Sequence, residues 1–434
     1  MEQLKIFSMF DGVGGFTVGL NNSNEKLFKT TYSNQFEPSR KSQDAFEVGV
    51  YNYPDIEHIN TDVEKIDISK FEEMRDKGVN MIVGGFPCQD YSVARSKKLE
   101  MGIEGKKGVL FWEIIRAVQT IQPKYLILEN VDRLLKSPSS QRGRDFAIML
   151  SAFNALNYSV EWRVINAADY GRAQRRRRVF FYVYHNSTLF AKKIDEKYEP
   201  TTLDLITDEH LYDEYIFKDG LFSRQFPIKQ TPNKNRSAFY QLSNDIVNVS
   251  DNFTGTVWNT GIMRYGRYFT IDTEPIKEKA ITLGEILQKE SEVPEEFYIT
   301  DPDKIEKFNY LRGSKKIERT TPDGHKWIYS EGGMSPFDSL ELPARTMLTS
   351  EGSINRSTHL LKINNRYRLL TPIEAERIQD FPDDWTKYKK SSDGTIKEVS
   401  TRMRMFFMGN ALVTEIVKRI GDELENIITE YEKE

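Results

Sequence analysis

The first 187 residues alternate short apolar runs with amphipathic runs, and this alternation is the feature that most constrains the fold. The apolar runs have the length of buried strands, and the runs between them have helical periodicity. Strands that alternate with helices predict a doubly wound α/β fold, in which helices cover both faces of a mostly parallel sheet. The predicted strands are Leu4–Phe10, Phe28–Ser33, Met81–Val83, Tyr125–Leu128 and Val179–Val183, and a helix is predicted over Leu110–Gln119.

The alternation fades after about residue 187, where Asp, Asn, Lys, Thr and Tyr become frequent. A helical pattern returns near Pro372, which has a typical first-turn position, and a closing amphipathic helix is predicted over Thr414–Tyr431. We therefore expect a first domain at 1–187, a second, smaller and irregular domain at 188–340, a hinge region at 341–400 that ends the second domain, and a C-terminal segment at 401–434 that returns to the first domain.

Composition excludes several classes of protein. Charged residues make up 29% of the 434-residue chain and hydrophobic residues 38%, a balance typical of folded soluble proteins. No apolar run is long enough to span a membrane, and the N-terminal residues do not resemble a signal peptide, so a cytoplasmic location is expected. The net charge of −4 argues against a generally cationic protein, although a local basic face can still bind nucleic acid.

The single cysteine, Cys88, follows the predicted strand Met81–Val83 in the run Gly84-Gly85-Phe86-Pro87-Cys88-Gln89. One cysteine excludes an internal disulfide and a multi-cysteine metal site, and no metal is expected. A free cysteine is most often a small buried hydrophobe. Because ligands bind at the carboxyl ends of strands in parallel sheets, this position instead favours a nucleophile.

A glycine-rich turn, Phe10-Asp11-Gly12-Val13-Gly14-Gly15, joins the first strand to a helix. Its spacing differs from that of dinucleotide-binding loops, so no pyrophosphate site is implied, and a plain tight turn is an equal alternative. Glu37 lies about 20 residues further on, where an acidic residue often binds ribose hydroxyls, and Asp62 could accept from an adenine amine. A nucleoside cofactor without a diphosphate, such as S-adenosylmethionine, fits this pattern.

Polar residues also adjoin two later strands. Glu129 comes after Tyr125–Leu128 and is a candidate acid or base, although a surface carboxylate is the more ordinary interpretation. Arg176 and Arg178 precede the next strand and would share one face, with Arg175 and Arg177 on the other. Two basic clusters, which could equally be solvated surface, are Arg172 with Arg175–Arg178, and Arg95, Lys97, Lys98, Lys106 and Lys107.

Taken in order, these motifs resemble the DNA (cytosine-5)-methyltransferases of bacterial restriction–modification systems. The resemblance covers roughly residues 4–187 and 340–422. The main motifs are Phe10–Phe16, Pro87-Cys88-Gln89, Glu129-Asn130-Val131, the Gln174/Arg176/Arg178 pattern and Gly409-Asn410-Ala411, supported by Gly108–Phe111, Ala344-Arg345-Thr346 and Tyr367–Pro372.

The resemblance implies that a cytosine is flipped out of duplex DNA and that Cys88 attacks its C6. It also implies that Glu129 holds the N3 edge of the base, that Arg178 contacts O2, and that Arg176 contacts a phosphate or Glu129. S-adenosylmethionine is the implied methyl donor. Implied cofactor residues are Phe10, Gly12, Gly14, Gly15, Gln35, Phe36, Glu37, Asp62, Val63, Pro87, Leu110, Asn410 and Leu412, and implied DNA contacts are Gln89, Ser92, Arg95 and Arg345.

This chain departs from the family pattern at three positions. The family often has Glu where Gln35 stands here, so either Gln35 or Glu37 could hold the ribose. Ala173 replaces the usual proline before Gln174. Asp90 replaces a small residue near the expected DNA path.

The expected function is therefore sequence-specific cytosine C5 methylation of double-stranded DNA, with residues 188–340 as the target recognition domain. Asn233, Lys234, Asn235 and Arg236 could contact bases or phosphates there, or form a solvated loop. A tRNA cytosine-5 methyltransferase and a non-catalytic DNA-binding regulator are the alternatives. We expect a monomer without membrane contacts, and a restriction endonuclease that acts on the same site is a possible partner.

Overall fold

The computed structural model describes residues 2–87, 110–198, 212–230, 234–321 and 323–431. Cys88, Gln89, Asp90, Ser92, Arg95, Lys97, Lys98, Lys106, Lys107, Gly108, Val109 and Asn233 lie outside them. The helices are α1 Gly15–Asn24, α2 Asp44–Asn52, α3 Ile68–Asp76, α4 Leu110–Ile121, α5 Arg144–Ala155, α6 Leu189–Tyr198, α7 Ile246–Asn252, α8 Leu283–Ile286, α9 Pro302–Arg312, α10 Pro372–Ile378, α11 Thr401–Asn410 and α12 Thr414–Tyr431.

The strands form one large sheet and three small ones. Those of the large sheet are β1 Leu4–Met9, β2 Phe28–Asn34, β3 Glu57–Ile59, β4 Met81–Gly85, β5 Tyr125–Val131, β6 Tyr158–Asn166, β7 Arg177–His185, β8 Ser237–Gln241, β9 Thr260–Arg264 and β10 Arg267–Ile271. The others are β11 Tyr298–Ile299, β12 Lys315–Thr320, β13 Lys326–Glu331, β14 Leu361–Ile363, β15 Arg366–Arg368, β16 Tyr388–Lys390 and β17 Ile396–Glu398.

The large sheet has the strand order β3-β2-β1-β4-β5-β7-β6-β9-β10-β8. The first five strands are mutually parallel, and β7 and β6 continue the sheet in antiparallel pairing. The strand order reverses at β1, because β2 and β3 lie on one side of it and β4 and β5 on the other, so the carboxyl ends of β1 and β4 open a crevice, the usual ligand position in such sheets. The predicted α/β fold with a mostly parallel core is confirmed.

Both faces of the sheet are buried, as the alternating side chains of its central strands require. In β5, Leu126 and Leu128 pack into the hydrophobic core on one face, whereas Tyr125 and Ile127 pack into the core on the other. Strands covered on both faces are nearly continuous apolar runs. This is why the central strands could be recognised in the sequence.

The segment after residue 187 differs from the expectation in one respect. Strand β9 pairs with β6 of the first domain, and β10 and β8 continue from it, so this part of the segment extends the large sheet. Its strands are five residues long, and the pairing of β9 with β6, which joins them to the sheet, is distant in sequence and leaves no local signal of register. The domain boundary near 187 stays a prediction.

Within the described residues, no helix combines the length and the apolar character needed to cross a membrane.

The C-terminal helix α12 packs against α1, the helix that follows the glycine-rich turn. The two helices approach closely because both carry glycine at the contact. A Cβ atom added at Gly19 would lie 2.6 Å from the backbone oxygen of Thr414 and from Cβ of Val417. The last helix of the chain is thereby held against the first.

Gly19→Ala is therefore expected to lower the free energy of unfolding by about 1–3 kcal/mol, because the methyl group forces the helices apart. Urea unfolding followed by circular dichroism measures this. Gly332→Ala is the matched control, since a Cβ atom there meets nothing within 4 Å. Equal stability of the two variants would contradict the close packing of α1 and α12.

Candidate active site

The glycine-rich turn between β1 and α1 has a conformation that glycine permits. Gly12 and Gly14 have φ values of 60° and 87°, and Phe10, unusually for a non-glycine residue, has φ of 55°. A Cβ atom at Gly14 would lie 3.3 Å from the ring of Tyr53, whereas one at Gly12 would meet no protein atom within 4 Å. The turn thus packs closely against Tyr53 on one side and leaves open space on the other side.

A buried polar network below the turn fixes its shape. The carboxylate of Asp11 accepts hydrogen bonds from Ser8 Oγ at 2.5 Å and Ser33 Oγ at 2.8 Å. Burial raises the pKa of Asp11, while the two hydroxyl donors oppose this rise. Gln35 Oε1 accepts from the Gly12 N–H at 2.8 Å, so this side chain supports the turn. Sequence reasoning missed Ser8, Asp11 and Ser33, although a Ser within the first predicted strand and an Asp directly after it are a readable signal.

The ends of β2 and β3 form the rim beside this turn. Phe36 is exposed to 36% directly after Gln35, and Glu37 accepts a hydrogen bond from Ser39 Oγ at 2.7 Å. Asp62 begins a turn of 3-10 helix, where its side chain accepts from the Glu64 N–H, and the next residue, Val63, is buried. An exposed ring and two carboxylates therefore lie at the strand ends nearest to the glycine-rich turn.

Residues from the C-terminal part of the chain close the same region. Leu412 would contact a Cβ atom at Gly15 at 3.3 Å, and the exposed Asn410 ends α11 two residues before it. The indole N–H of Trp385 donates to the Val13 carbonyl of the turn at 2.8 Å, and its ring packs on Tyr53. Sequence reasoning missed Trp385. The run Phe381-Pro382-Asp383-Asp384-Trp385, with two aromatic residues around a turn, could have indicated it.

Glu129 and the backbone that leads to Cys88 lie at the carboxyl ends of β5 and β4. Gly85 of β4 is in register with Glu129 of β5, and a Cβ atom at Gly85 would lie 3.0 Å from Glu129 Oε2. Asn130 Nδ2 donates to the Phe86 carbonyl at 2.9 Å and so holds the backbone that leads to Pro87. Pro87 is exposed and ends the described segment, and Cys88 follows it outside the described residues. Leu110, the first described residue after this gap, is half-buried and begins α4.

Glu129 and Arg178 form an ion pair between β5 and β7. Arg178 Nε lies 2.8 Å from Glu129 Oε1, and their side chains are 18% and 13% exposed. Burial raises the pKa of Glu129, and the nearby charges of Arg178 and Arg176 oppose that rise. A largely buried carboxyl group with a raised pKa holds a proton closer to neutral pH than an exposed one, as proton donation requires.

The predicted alternation of the arginine run is confirmed. Arg176 is buried and Arg178 half-buried, whereas Arg175 and Arg177 are exposed. Arg177 pairs with Asp132 at the surface, with Nε 3.1 Å from Oδ2. The alternation follows from the period of two in extended backbone.

Arg176 lies deeper than the other arginines of the run. Its guanidinium donates to the carbonyls of Met347 and Gly409, both at 3.1 Å, and burial lowers its pKa to about 9. The charge of Glu129 acts on Arg176 and opposes this decrease. A side chain that binds two buried carbonyls fixes neighbouring segments, and this geometry favours a positioning role over contact with a DNA phosphate.

Gln174 and its neighbours connect the arginine run to the segment from Ala344 to Met347, which is distant in sequence. The Ala344 N–H donates to the Ala173 carbonyl at 2.7 Å, and the Arg175 N–H donates to the Ala344 carbonyl at 2.8 Å. Gln174 Oε1 accepts from the Met347 N–H at 2.9 Å. Ala173, the position where the family usually has proline, therefore takes part in a backbone pairing through its carbonyl alone.

Among the four DNA contacts that the resemblance implies, Gln89, Ser92, Arg95 and Arg345, the structure describes only Arg345. Its Nε lies 2.6 Å from Asp338 Oδ1, and it also donates to the carbonyls of Ser357 and Thr358. The side chain is thus engaged within the protein, and its contact with DNA stays a prediction, as do those of Gln89, Ser92 and Arg95.

The chain is similar to known methyltransferases in sequence and in structure. A family model described as C-5 cytosine-specific DNA methylase matches residues 4–426. The Type II methyltransferase M.Sau3AI of Staphylococcus aureus is 54% identical over 427 residues, which are 98% of this chain and 97% of that protein. M.NlaIV of Neisseria lactamica is 33% identical over 187 residues, 42% of this chain and 41% of that protein. The crystal structure of the S. pombe Dnmt2 methyltransferase matches with a TM-score of 0.55 at 11% identity, over 99% of both chains, which supports the fold.

Proposed function

This chain belongs to the C-5 cytosine-specific DNA methylase family and is a DNA cytosine-5 methyltransferase of the restriction–modification type, and we propose that it transfers the methyl group of S-adenosylmethionine to cytosine within one short sequence of double-stranded DNA. The observation that carries the proposal is the Glu129–Arg178 pair at the strand ends, directly beside the backbone that leads to Cys88. The use of double-stranded DNA as substrate, the use of S-adenosylmethionine as methyl donor and the roles of the individual residues are all parts of this proposal.

The residues around the glycine-rich turn fit S-adenosylmethionine. The open space above Gly12 suits close approach of a ligand to the backbone, and the turn carries no pyrophosphate-binding pattern. Phe36 offers an exposed ring for an adenine, and Asp62 a carboxylate for its amine. Glu37 is better placed than Gln35 to bind the ribose hydroxyls. The side-chain oxygen of Gln35, Oε1, already accepts a hydrogen bond from the Gly12 N–H of the turn. When bound, the cofactor supplies an electrophilic methyl group on a positively charged sulfur.

The proposed chemistry begins with the thiolate of Cys88. The thiolate forms a bond to C6 of a cytosine flipped out of the duplex, and the electron pair of the C5–C6 double bond moves toward C5, N3 and O2. Glu129 donates a proton to N3, and Arg178 stabilises the charge that develops at O2. C5 then takes the methyl group. Loss of the C5 proton to solvent, return of the N3 proton to Glu129 and departure of the thiolate restore the C5–C6 double bond in 5-methylcytosine.

Glu129 and Arg178 already form an ion pair in the protein without DNA. Arg178 holds the carboxyl group of Glu129 in place through a hydrogen bond, while burial disfavours its negative form. Arg176 holds the strand that carries Arg178 against the Met347 and Gly409 carbonyls. The base-binding edge is therefore preorganised by groups that need not move during the reaction.

Incubation of the purified chain with methyl-labelled S-adenosylmethionine and either duplex DNA or tRNA tests the proposal. Label is expected in 5-methylcytosine of the DNA only, and chemical sequencing of the product should place it in one short sequence context. Transfer to tRNA alone would replace the proposal with an RNA methyltransferase. Binding of DNA without transfer to either substrate would favour a non-catalytic regulator.

A further inference from the structure

Strands β12 and β13 form a ribbon that lies outside the large sheet. Among the described residues they pair only with each other, and the register sets Ile317 opposite Tyr329 and Arg319 opposite Trp327. The outer part of the ribbon is exposed on both faces, including Trp327 at 40% and Ile328 at 65%. An isolated two-stranded ribbon with exposed apolar side chains is only marginally stable in water, and exposed apolar groups of this kind often mark a binding surface.

One face of the ribbon combines a cation with aromatic rings. The guanidinium of Arg319 lies 4.4 Å from the ring centroid of Tyr329 and 5.8 Å from that of Trp327. Within the described parts of the chain, neither Arg319 nor Lys316 makes an ion pair. The rings contact the Arg319 guanidinium, which makes no hydrogen bond to the described residues, and its N–H groups are therefore available to an external acceptor.

The acidic groups of the ribbon are already engaged. Glu318 pairs with Lys326 at 2.8 Å, and Glu331 pairs with Arg356 at 3.0 Å. Asp323, at the tip, has its pKa lowered by a hydrogen bond from the side chain of Thr321 and keeps its negative charge. Within the two strands themselves, the charged side chains outside ion pairs with described residues are Lys316 and Arg319, so this part of the ribbon presents positive charge, which complements a polyanion.

The base of the ribbon is held firmly, in contrast to its outer part. Arg312, 1% exposed at the end of α9, binds Asp338 Oδ2 and the Thr358 carbonyl, both at 2.7 Å. Arg356 donates to the carbonyls of Leu311 and Gly313. The ribbon thus projects from a rigid platform.

The same platform reaches the candidate active site. Asp338 also accepts from Arg345, and the residue before Arg345, Ala344, is paired with the backbone of Ala173 and Arg175. From Arg175 it is three residues to Arg178. Hydrogen-bonded segments with few flexible residues between them therefore connect the ribbon to Arg178, which is expected to contact the base.

We propose that the ribbon of β12 and β13 enters a groove of duplex DNA, with Arg319 donating to a phosphate or to the edge of a guanine. A two-stranded ribbon fits the width of the major groove, and arginine is suited to both acceptors. The proposal rests on the proposed function, which supplies the DNA, and it assigns to one element the contact that the sequence left unplaced within 188–340.

The test measures affinity for fluorescent duplexes with and without the methylated sequence at several salt concentrations. Arg319→Gln and Trp327→Ala are expected to weaken binding to the methylated sequence at least about tenfold. Arg75→Gln, an exposed arginine on α3, is the matched control and is expected to stay within about twofold of the parent chain. Glu318→Gln, which frees Lys326, should bind equally or more tightly. S-adenosylmethionine affinity and the unfolding midpoint of each variant show that the rest of the protein is intact.

Each result has one interpretation. Equal weakening on all duplexes, with a salt slope reduced by about one, supports a phosphate contact, and weakening confined to the methylated sequence supports a base contact. Unchanged affinity in both ribbon variants overturns the proposal, as does a change in self-association instead of DNA affinity. A parent chain that binds DNA through the ribbon without methylating it would refute the proposed function but would support the DNA-binding role of the ribbon. A parent chain that binds no DNA refutes both.

Discussion

Replacement of Cys88 by alanine is expected to reduce methyl transfer to DNA at least about a thousandfold. C5 of cytosine becomes a carbon nucleophile only when a nucleophile has added to C6, and the chain contains no second cysteine to take over this role. The measurement is the rate of label transfer from S-adenosylmethionine in a single turnover, with enzyme in excess over duplex.

A trapping experiment separates loss of the nucleophile from loss of binding. Duplex DNA that carries 5-fluorocytosine at the target position cannot lose a proton from C5, so the adduct with the thiol persists after methyl transfer. The parent chain should form a covalent complex detectable by mass, and Cys88→Ala should form none while it still binds S-adenosylmethionine and duplex DNA. A covalent complex with the variant would show that another residue attacks the base.

Glu129→Gln is expected to lower kcat by about a hundredfold to ten-thousandfold, the usual range for loss of a general acid or base. Glutamine keeps the size of the side chain and can still accept from Arg178, but it cannot give a proton to N3. Truncation to alanine would leave a largely buried arginine without its partner and could unfold the site, so it is the less informative change.

The chain offers a matched control for this substitution. Asp132 pairs with Arg177 as Glu129 pairs with Arg178, but the Asp132 pair lies at the surface, with side chains 38% and 60% exposed. Asp132→Asn should therefore change kcat less than about twofold. Similar losses in both variants would mean that Glu129 supports the structure instead of the chemistry.

The pH dependence gives a second readout. Because burial raises the pKa of Glu129, its proton is lost at a higher pH than that of an exposed carboxyl group. If protonated Glu129 is the donor, activity of the parent chain falls as the pH rises through this raised pKa, and the fall is absent in Glu129→Gln. An unchanged profile in the variant would assign the fall to another group.

The central fold was readable because its signals are local. Each central strand is buried on both faces and is therefore a continuous apolar run, as in Leu126 and Ile127. The strand ends were readable for the same reason, since Gly84 and Glu129 directly follow such runs. Strands β8, β9 and β10 were missed because their place in the sheet depends on the pairing of β9 with β6, which no local pattern records.

The candidate site divides in the same way. The types and order of Cys88, Glu129 and Arg178 were enough to predict a chemistry, because each comes before or after a predicted strand by at most five residues. The buried support below and around the cofactor turn was not predicted. Asp11 and Trp385 act through contacts with residues 22 and 372 positions away, Ser33 and Val13 respectively.

The sequence by itself thus determined the α/β fold, the family and the residues that could carry the reaction, since these depend on apolar periodicity and on motifs within a few residues. Only the tertiary structure decided what each arginine does: Arg178 pairs with Glu129, Arg176 binds two buried carbonyls, and Arg319 projects from an exposed ribbon. The physical reason is that one guanidinium can serve any of these roles. Its burial and its partners, fixed by contacts between distant parts of the chain, select among them.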